Sequence, residues 1–275
     1  MALMTALQAD ATDTTVTRTQ TRLPGASLGT AGIVVLRILL FVLILGALEI
    51  FPWPASAKLW MIKPSAIVQT VWAWFVEGLV WRHLSATLVT MSLGYVTGCV
   101  LGICGGLLLG LLPRVNRTLT PFLAAANALP KIALAPLLII VFGLGYASKV
   151  PLVAATVFFL VLSSTLDGVK SADLDTLDCM KIMGATRAEQ IYKVLFPSAL
   201  PWVFMGMRIS VRYAFTNTIL AELIGANSGL GYLIESHASQ FDATGTYAAV
   251  LILVIVSVSL TEILVKLENL MTKRR

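Results

Sequence analysis

The sequence predicts an all-α membrane protein with six transmembrane helices, and three observations carry that prediction. Hydrophobic residues make up 57% of the chain and charged residues 12%, against about 25% charged in an ordinary soluble domain. Six apolar runs of spanning length alternate with short polar intervals. Fifteen of the 20 Lys and Arg lie in those intervals and form no clustered stripe. The net charge of +6 and the pI near 9.4 therefore follow from membrane topology, and binding of nucleic acid is not expected.

In chain order, residues 1–30 are rich in Thr, Ala and Asp without periodicity and read as a disordered cytoplasmic tail. Because this polar stretch precedes the first apolar run, no cleavable signal peptide is expected. Gly32–Phe51 is the first span, close to the roughly 20 residues that cross a hydrocarbon core about 30 Å thick. Pro52, Trp53 and Pro54 then break the helix at an interface. Pro64–Leu79 carries Ile67, Val68, Val71, Trp72, Phe75 and Val76 as an amphipathic stripe, which predicts a segment lying on the outer surface.

Ser85–Leu112 is the second span, and Gly94, Gly98, Gly102, Gly106 and Gly110 recur along it at every fourth residue. Small residues at that spacing let a neighbouring helix approach closely. Each step of four overshoots a turn by about 40°, so the row winds around the helix and can serve more than one neighbour. Leu119–Phe142 is the third span, interrupted by Pro121, Pro130 and Pro136, and a bent helix is expected. Asn127 and Lys131 lie near its middle. Polar groups at that depth are tolerated where they face protein or a watery cavity, which makes both candidates for a translocation path.

Pro151–Leu166 is a short fourth span and Trp202–Ile224 a weakly hydrophobic fifth. On the fifth, Arg208, Arg212 and Glu222 fall within about 80° of one another at 100° per residue, which predicts one charged face. An Arg at mid-span costs about 2.5–3.5 kcal/mol on insertion scales, so that face should line an interior or a cavity. Arg208, Arg212, Thr216 and Glu222 join Asn127 and Lys131 as candidate path residues. Ala226–Thr246 is a polar outer loop and Tyr247–Leu267 the sixth span.

Six spans place both termini on one side. That side carries Arg18, Arg22, Arg114, Arg117, Lys170, Lys181, Arg187, Lys193, Lys273, Arg274 and Arg275, whereas the other carries Lys58, Lys63, Arg82 and Lys149. The positive-inside bias makes the termini cytoplasmic. It places the longest polar interval, Ser171–Pro201, in the cytosol as well.

That interval reads as two short helices meeting at a glycine corner. Ser171 can cap the first, Asp173 and Asp175 sit in its first turn where the helix dipole favours anions, and Lys181 lies in its last. Gly184 supplies the left-handed residue that closes it. Thr186 and Glu189 form a capping box that opens the second helix, which Pro197 is expected to stop. Cys99, Cys104 and Cys179 are too few for a disulfide framework and read as small core residues. His83 and His237 are isolated in the sequence, and no metal-ligand spacing involves either.

These residues resemble the importer permeases of the ATP-binding-cassette class. The cytoplasmic motif of that family runs E-A-A-x3-G-x9-I-x-L-P, and Asp178, Cys179, Met180, Gly184, Val194, Phe196 and Pro197 occupy its places at matching spacing. Gly184 and Pro197 are identical to the motif, Asp178 and Val194 are conservative, and the other three depart from it. Leu129–Pro136 with Phe142–Gly145, and Ala221-Glu222 followed by Gly229-Leu230-Gly231, resemble the nitrate, sulfonate, taurine and bicarbonate branch.

The resemblance implies a type I importer assembled from two permease subunits, taken here as identical copies, two cytosolic ATPase subunits and an external solute-binding protein. Residues 31–84 are then the first helix with its outer amphipathic segment, 85–270 the permease core, and 170–200 its coupling loop. Asp178, Lys181, Met183, Gly184, Ala185, Thr186, Arg187 and Glu189 would face the ATPase. The chain has no G-x-x-x-x-G-K-[ST] loop, so it is expected to hold no cofactor and to be no enzyme itself, with ATP and Mg bound by the partner ATPase. The expected site is the inner, cytoplasmic membrane. The expected solute is small and anionic, with a neutral heterocycle such as a vitamin precursor as the alternative within the class. Outside the class, an ion-coupled transporter would use Lys131 and Glu222 as its relay.

Overall fold

The structure is a computed structural model that describes residues 30–50 and 62–272. Most of the expected tail, the Pro52–Pro54 break, Lys58 and the last three basic residues lie outside the described residues. The chain divides into two units, Met1–Ile50 and Phe51–Arg275. The first contains helix α1, Thr30–Ile50, whose 21 residues extend roughly 31 Å. Its side chains Leu36, Leu39, Leu40 and Leu43 are all exposed.

The second unit is a helical bundle. It runs through α2 (Pro64–Val76), α3 (Leu79–Leu111), α4 (Pro113–Ala128), a 3-10 turn (Lys131–Leu134) and α5 (Ala135–Phe142). It continues through α6 (Tyr146–Lys170), α7 (Leu174–Ile182), α8 (Arg187–Gln190), a π-turn (Ile191–Leu195), α9 (Phe196–Ile224), α10 (Leu230–Ser239) and α11 (Ala243–Thr272). Four stretches are long and apolar enough to cross a membrane: α3, α6, the continuous Arg187–Ile224, and Ala243–Ile263. The pair Pro113–Ala128 and Lys131–Phe142, bent by 77°, makes a fifth. The first expected span, Gly32–Phe51, falls largely on α1, which is not among these four or five.

The bend expected in the third span falls at Leu129-Pro130, both extended, because proline steers its predecessor away from helical backbone. Other boundaries shift. α3 starts six residues before the expected Ser85, because Gly78 at φ +79 turns the chain directly out of α2. α6 starts at Tyr146 with Pro151 inside it. Pro197 does not stop a helix. The π-turn before it re-registers the backbone bonds, so the missing N–H and the ring are absorbed and the helix runs on to Ile224. The stripe expected on α2 also splits, since Trp74 is its buried residue whereas Val68, Trp72 and Val76 are exposed.

The glycine row corrects another expectation, because all five glycines face one helix, α6. A methyl added at Gly94, Gly98, Gly102, Gly106 or Gly110 would lie between 2.5 and 2.9 Å from Val153, Val157, Phe158, Thr165 or Val169 respectively. A row of i±4 residues is inclined to its own helix axis, so it stays on one neighbour when the two helices cross at an angle. Val153, Val157 and Val161 on the far side of this seam are fully buried and join Val211, Ala214, Phe215 and Ile219 of α9 in one core with Leu230, Ala248 and Ala249. Overpacking such a seam costs about 1–3 kcal/mol. Gly98→Ala is therefore expected to lower the thermal unfolding midpoint of the purified protein in detergent. Gly105→Ala, whose methyl would meet the flexible end of Leu162 at 3.2 Å and the Phe158 ring at an ordinary contact distance of 3.6 Å, is expected not to lower it.

Candidate functional site: a polar corner and two polar recesses

The polar interval folds as a compact corner stabilised from within. Asp173, not Ser171, caps α7 by accepting from the backbone N–H of Asp175 and Thr176. Ser171 ends α6 instead, its hydroxyl donating to the Gly168 carbonyl at 2.8 Å. The Thr176 hydroxyl and the Asp175 N–H hold the Asp173 carboxyl below its usual range. Lys181 pairs with Asp178 at 2.6 Å. At the C-terminus of α7, Gly184 N–H donates to Lys181 and Ala185 N–H to Met180, at 3.0 and 2.9 Å. With Gly184 at φ +80 this is a Schellman ending, which a side chain at that position would strain.

The capping box forms as the sequence predicts, Glu189 accepting from the Thr186 N–H at 2.8 Å while Thr186 accepts from the Glu189 N–H. Glu189 also pairs with Lys193 at 3.2 Å. Arg187 extends to donate to the Leu111 carbonyl at 3.1 Å, which ties the corner to the end of α3. Ile182 and Met183, flanking Gly184, are 86% and 85% exposed. Cys179 is exposed on the same corner and Cys104 is exposed on α3, so of the three cysteines Cys99 alone is a core residue.

The six expected path residues do not share one face. Arg212 and Thr216 line an open recess of about 370 Å³ on α9 with Ile209 and Tyr213, and Arg208 is exposed one turn before them. Asn127 lines a second recess of about 250 Å³ between α4 and α6. Lys131 stands beside Asn127, donating to its carbonyl at 2.9 Å and its side-chain oxygen at 3.0 Å, and lies 4.9 Å from the centre of the Phe159 ring.

Glu222 leaves this set. An offset of about 80° from Arg212 is enough to turn its side chain off the open face, and it is 1% exposed in the interior. There it accepts from the Thr87 hydroxyl at 2.9 Å and the Gly231 N–H at 3.0 Å. Thr87 in turn accepts from Leu230 N–H at 2.8 Å, and His83 accepts from Gly229 N–H at 3.1 Å. Three consecutive backbone donors at the start of α10 are thus held by side chains of α3 and α9, which satisfies a helix end that has no partners of its own. Gly229, at φ +119, packs against the Glu222 carboxylate where any side chain would collide with it.

Lys149, expected in an outer loop, is instead 2% exposed in α6 and interacts electrostatically with Glu222. His237, isolated in sequence, contacts Asp242 at 2.7 Å and the Trp74 ring at 4.9 Å between centres. His83 and Thr87 share α3, but nothing local links them to Lys149 on α6 or Glu222 on α9, so the group was not legible in the sequence.

The family described as the binding-protein-dependent transport system inner membrane component matches residues 94–272, which takes in α6, the polar corner, both recesses and Glu222 with the start of α10, but not its partners His83 and Thr87. The chain belongs to this family. As an ABC importer permease it is an inner-membrane transport component and not an ATPase. The chain is similar to the formylaminopyrimidine transport permease ThiX of Halalkalibacterium halodurans, at 37% identity over 71% of this chain and 78% of ThiX. It is also similar to the putative aliphatic sulfonates transport permease SsuC of Bacillus subtilis, at 32% identity over 82% of this chain and 83% of SsuC. Both are permeases of the branch to which the motifs pointed. In fold it resembles the methionine ABC transporter MetNI in an inward-facing conformation, with a TM-score of 0.58 at 20% identity over 69% of this chain and 94% of that one. Membership in this permease family replaces the ion-coupled reading. Its two relay residues also lie apart in character, Lys131 bonded to Asn127 and Glu222 buried against Thr87.

Proposed function

We propose that this permease pairs with a second, identical copy to form the path by which a small anionic solute, such as nitrate, a sulfonate, taurine or bicarbonate, crosses the inner membrane. An external binding protein delivers the solute, and two cytosolic ATPase subunits, which bind ATP and Mg, drive the cycle through the corner at residues 174–190. Both termini lie in the cytoplasm on this reading. Burial of Lys149 removes a cation from the outer tally and widens the basic asymmetry that supports it.

The observation that carries the path assignment is the placement of Arg212 and Thr216 on an open recess of a spanning helix. A guanidinium at that depth is tolerated where it meets water, a partner or a solute, and it suits an oxyanion by charge and by its planar fork of donors. Similarity to ThiX favours a second reading, transport of a neutral heterocycle by the same route. The two separate in one experiment. Arg212→Glu is expected to reduce uptake of an anionic solute by at least about a hundredfold, the factor that about 2.7 kcal/mol of lost attraction gives, while copurification with the ATPase subunits stays normal. Unchanged uptake in that variant would remove Arg212 from the path.

A further inference from the structure

The recess between α4 and α6 has a chemistry that the path reading does not by itself explain. On α4, Asn116, Thr120 and Asn127 fall within about 40° of one another at 100° per residue, and all three line it together with Ser163 of α6. The opposite side of α4 is apolar, with Val115, Leu119 and Phe122 exposed. α4 buries no residue, so the polar stripe is not the inside of a packed seam. A stripe of amides and hydroxyls along a spanning segment is tolerated where it borders a water-filled cavity.

Its direction follows from Arg187, whose bond to the Leu111 carbonyl places the start of α4 at the cytoplasmic corner. Asn116 is therefore near that end, and Asn127 lies roughly 16 Å deeper along the helix. At the deep end stands Lys131. Two of its three ammonium donors go to Asn127 and its charge rests against Phe159. The residues lining the recess are uncharged, so the charge that bears on it is that of Lys131 beside Asn127. A volume of about 250 Å³ lies below the roughly 300–1,000 Å³ of drug-sized sites.

We infer that this recess is the inner leg of the solute path, an aqueous slot that accepts a small anion by hydrogen bonds from Asn116, Asn127 and Ser163 and by the charge of Lys131, the Thr120 hydroxyl being held by the Asn116 carbonyl. This assignment rests on the importer reading and names the stretch through which the solute leaves toward the cytosol.

The test uses the permease assembled with its ATPase subunits in inside-out vesicles, with Cys104 and Cys179 replaced by Ala and the buried Cys99 retained. Thr120→Cys and Ser163→Cys, both near-isosteric, are reacted with two methanethiosulfonate probes, one carrying an ethylsulfonate and one an ethyltrimethylammonium group. Each rate is normalised to that with free cysteine. Both positions are expected to react, with the anionic probe favoured by roughly tenfold. Lys131→Met is expected to erase the preference and Lys131→Arg to keep it. Ile140→Cys, at a position 82% exposed on the apolar α5, is expected to react with neither. A lack of reaction at either recess position overturns the inference, as does a preference that survives Lys131→Met. Because the labelling needs no ATP turnover, failure of the importer reading would show separately, as a permease that captures no ATPase subunit while its recess still labels.

Discussion

Glu222→Ala is expected to destabilise the permease by about 3–5 kcal/mol, the usual effect of removing one member of a buried charged network. One carboxylate oxygen accepts from Thr87 and Gly231 at 2.9 and 3.0 Å, the other is buried without a hydrogen-bond partner, and the buried Lys149 acts on the group electrostatically. Alanine leaves the Gly231 N–H without an acceptor and an ammonium buried without its counter-charge. The start of α10 should then release from α3 and α9. Thermal unfolding followed by tryptophan fluorescence, together with protease cleavage near residues 226–242, reads both effects.

Glu222→Gln retains an acceptor for Gly231 but not the charge, so about 1–3 kcal/mol is expected. Adding Lys149→Met to Glu222→Ala should restore part of the loss, since it removes the orphaned charge. If Glu222→Ala melts with the parent, the cluster is not what holds α10.

The second large effect concerns the cytoplasmic corner. Ile182 and Met183 are presented almost fully exposed by the Schellman ending at Gly184, and apolar residues held rigidly in the open are the usual anchors of an interface. The double substitution Ile182→Glu and Met183→Glu keeps the helix-forming character of α7 but sets two carboxylates where an apolar socket is expected. ATP-driven uptake is expected to fall to background. Affinity for the ATPase subunits should drop by at least a hundredfold, about 2.7 kcal/mol, with the unfolding midpoint of the permease unchanged because neither side chain packs on its own chain. Copurification of the ATPase at parental yield would place the contact elsewhere.

Much of this molecule was legible before its structure. The apolar runs mark the spans, and the cytoplasmic corner was readable residue by residue: the capping box of Thr186 and Glu189 and the left-handed Gly184 each depend on groups three or four positions apart. The errors there were equally local. Asp173 outcompeted Ser171 as the cap, and the π-turn let Pro197 pass inside a helix that its ring alone would end. The face shared by Arg208, Arg212, Thr216 and Glu222 was only half legible, because spacing on one helix tells which residues share a face but not what that face meets. Arg212 and Thr216 kept theirs open, whereas Glu222 turned into the interior.

By itself, then, the sequence determined the class, the order of the apolar segments, and the turn chemistry of the corner at residues 171–190, since each is written in hydropathy or in contacts within one or two helical turns. The tertiary structure alone decided that the five glycines face α6, that Lys149 is buried, and that His83, Thr87 and Glu222 hold one helix end. Of the four bonds in that last group, Glu222 to Gly231 spans 9 residues, and the other three join residues 135 to 146 apart in the chain. Contacts at that separation are set by how whole helices cross and pack, which no local periodicity specifies.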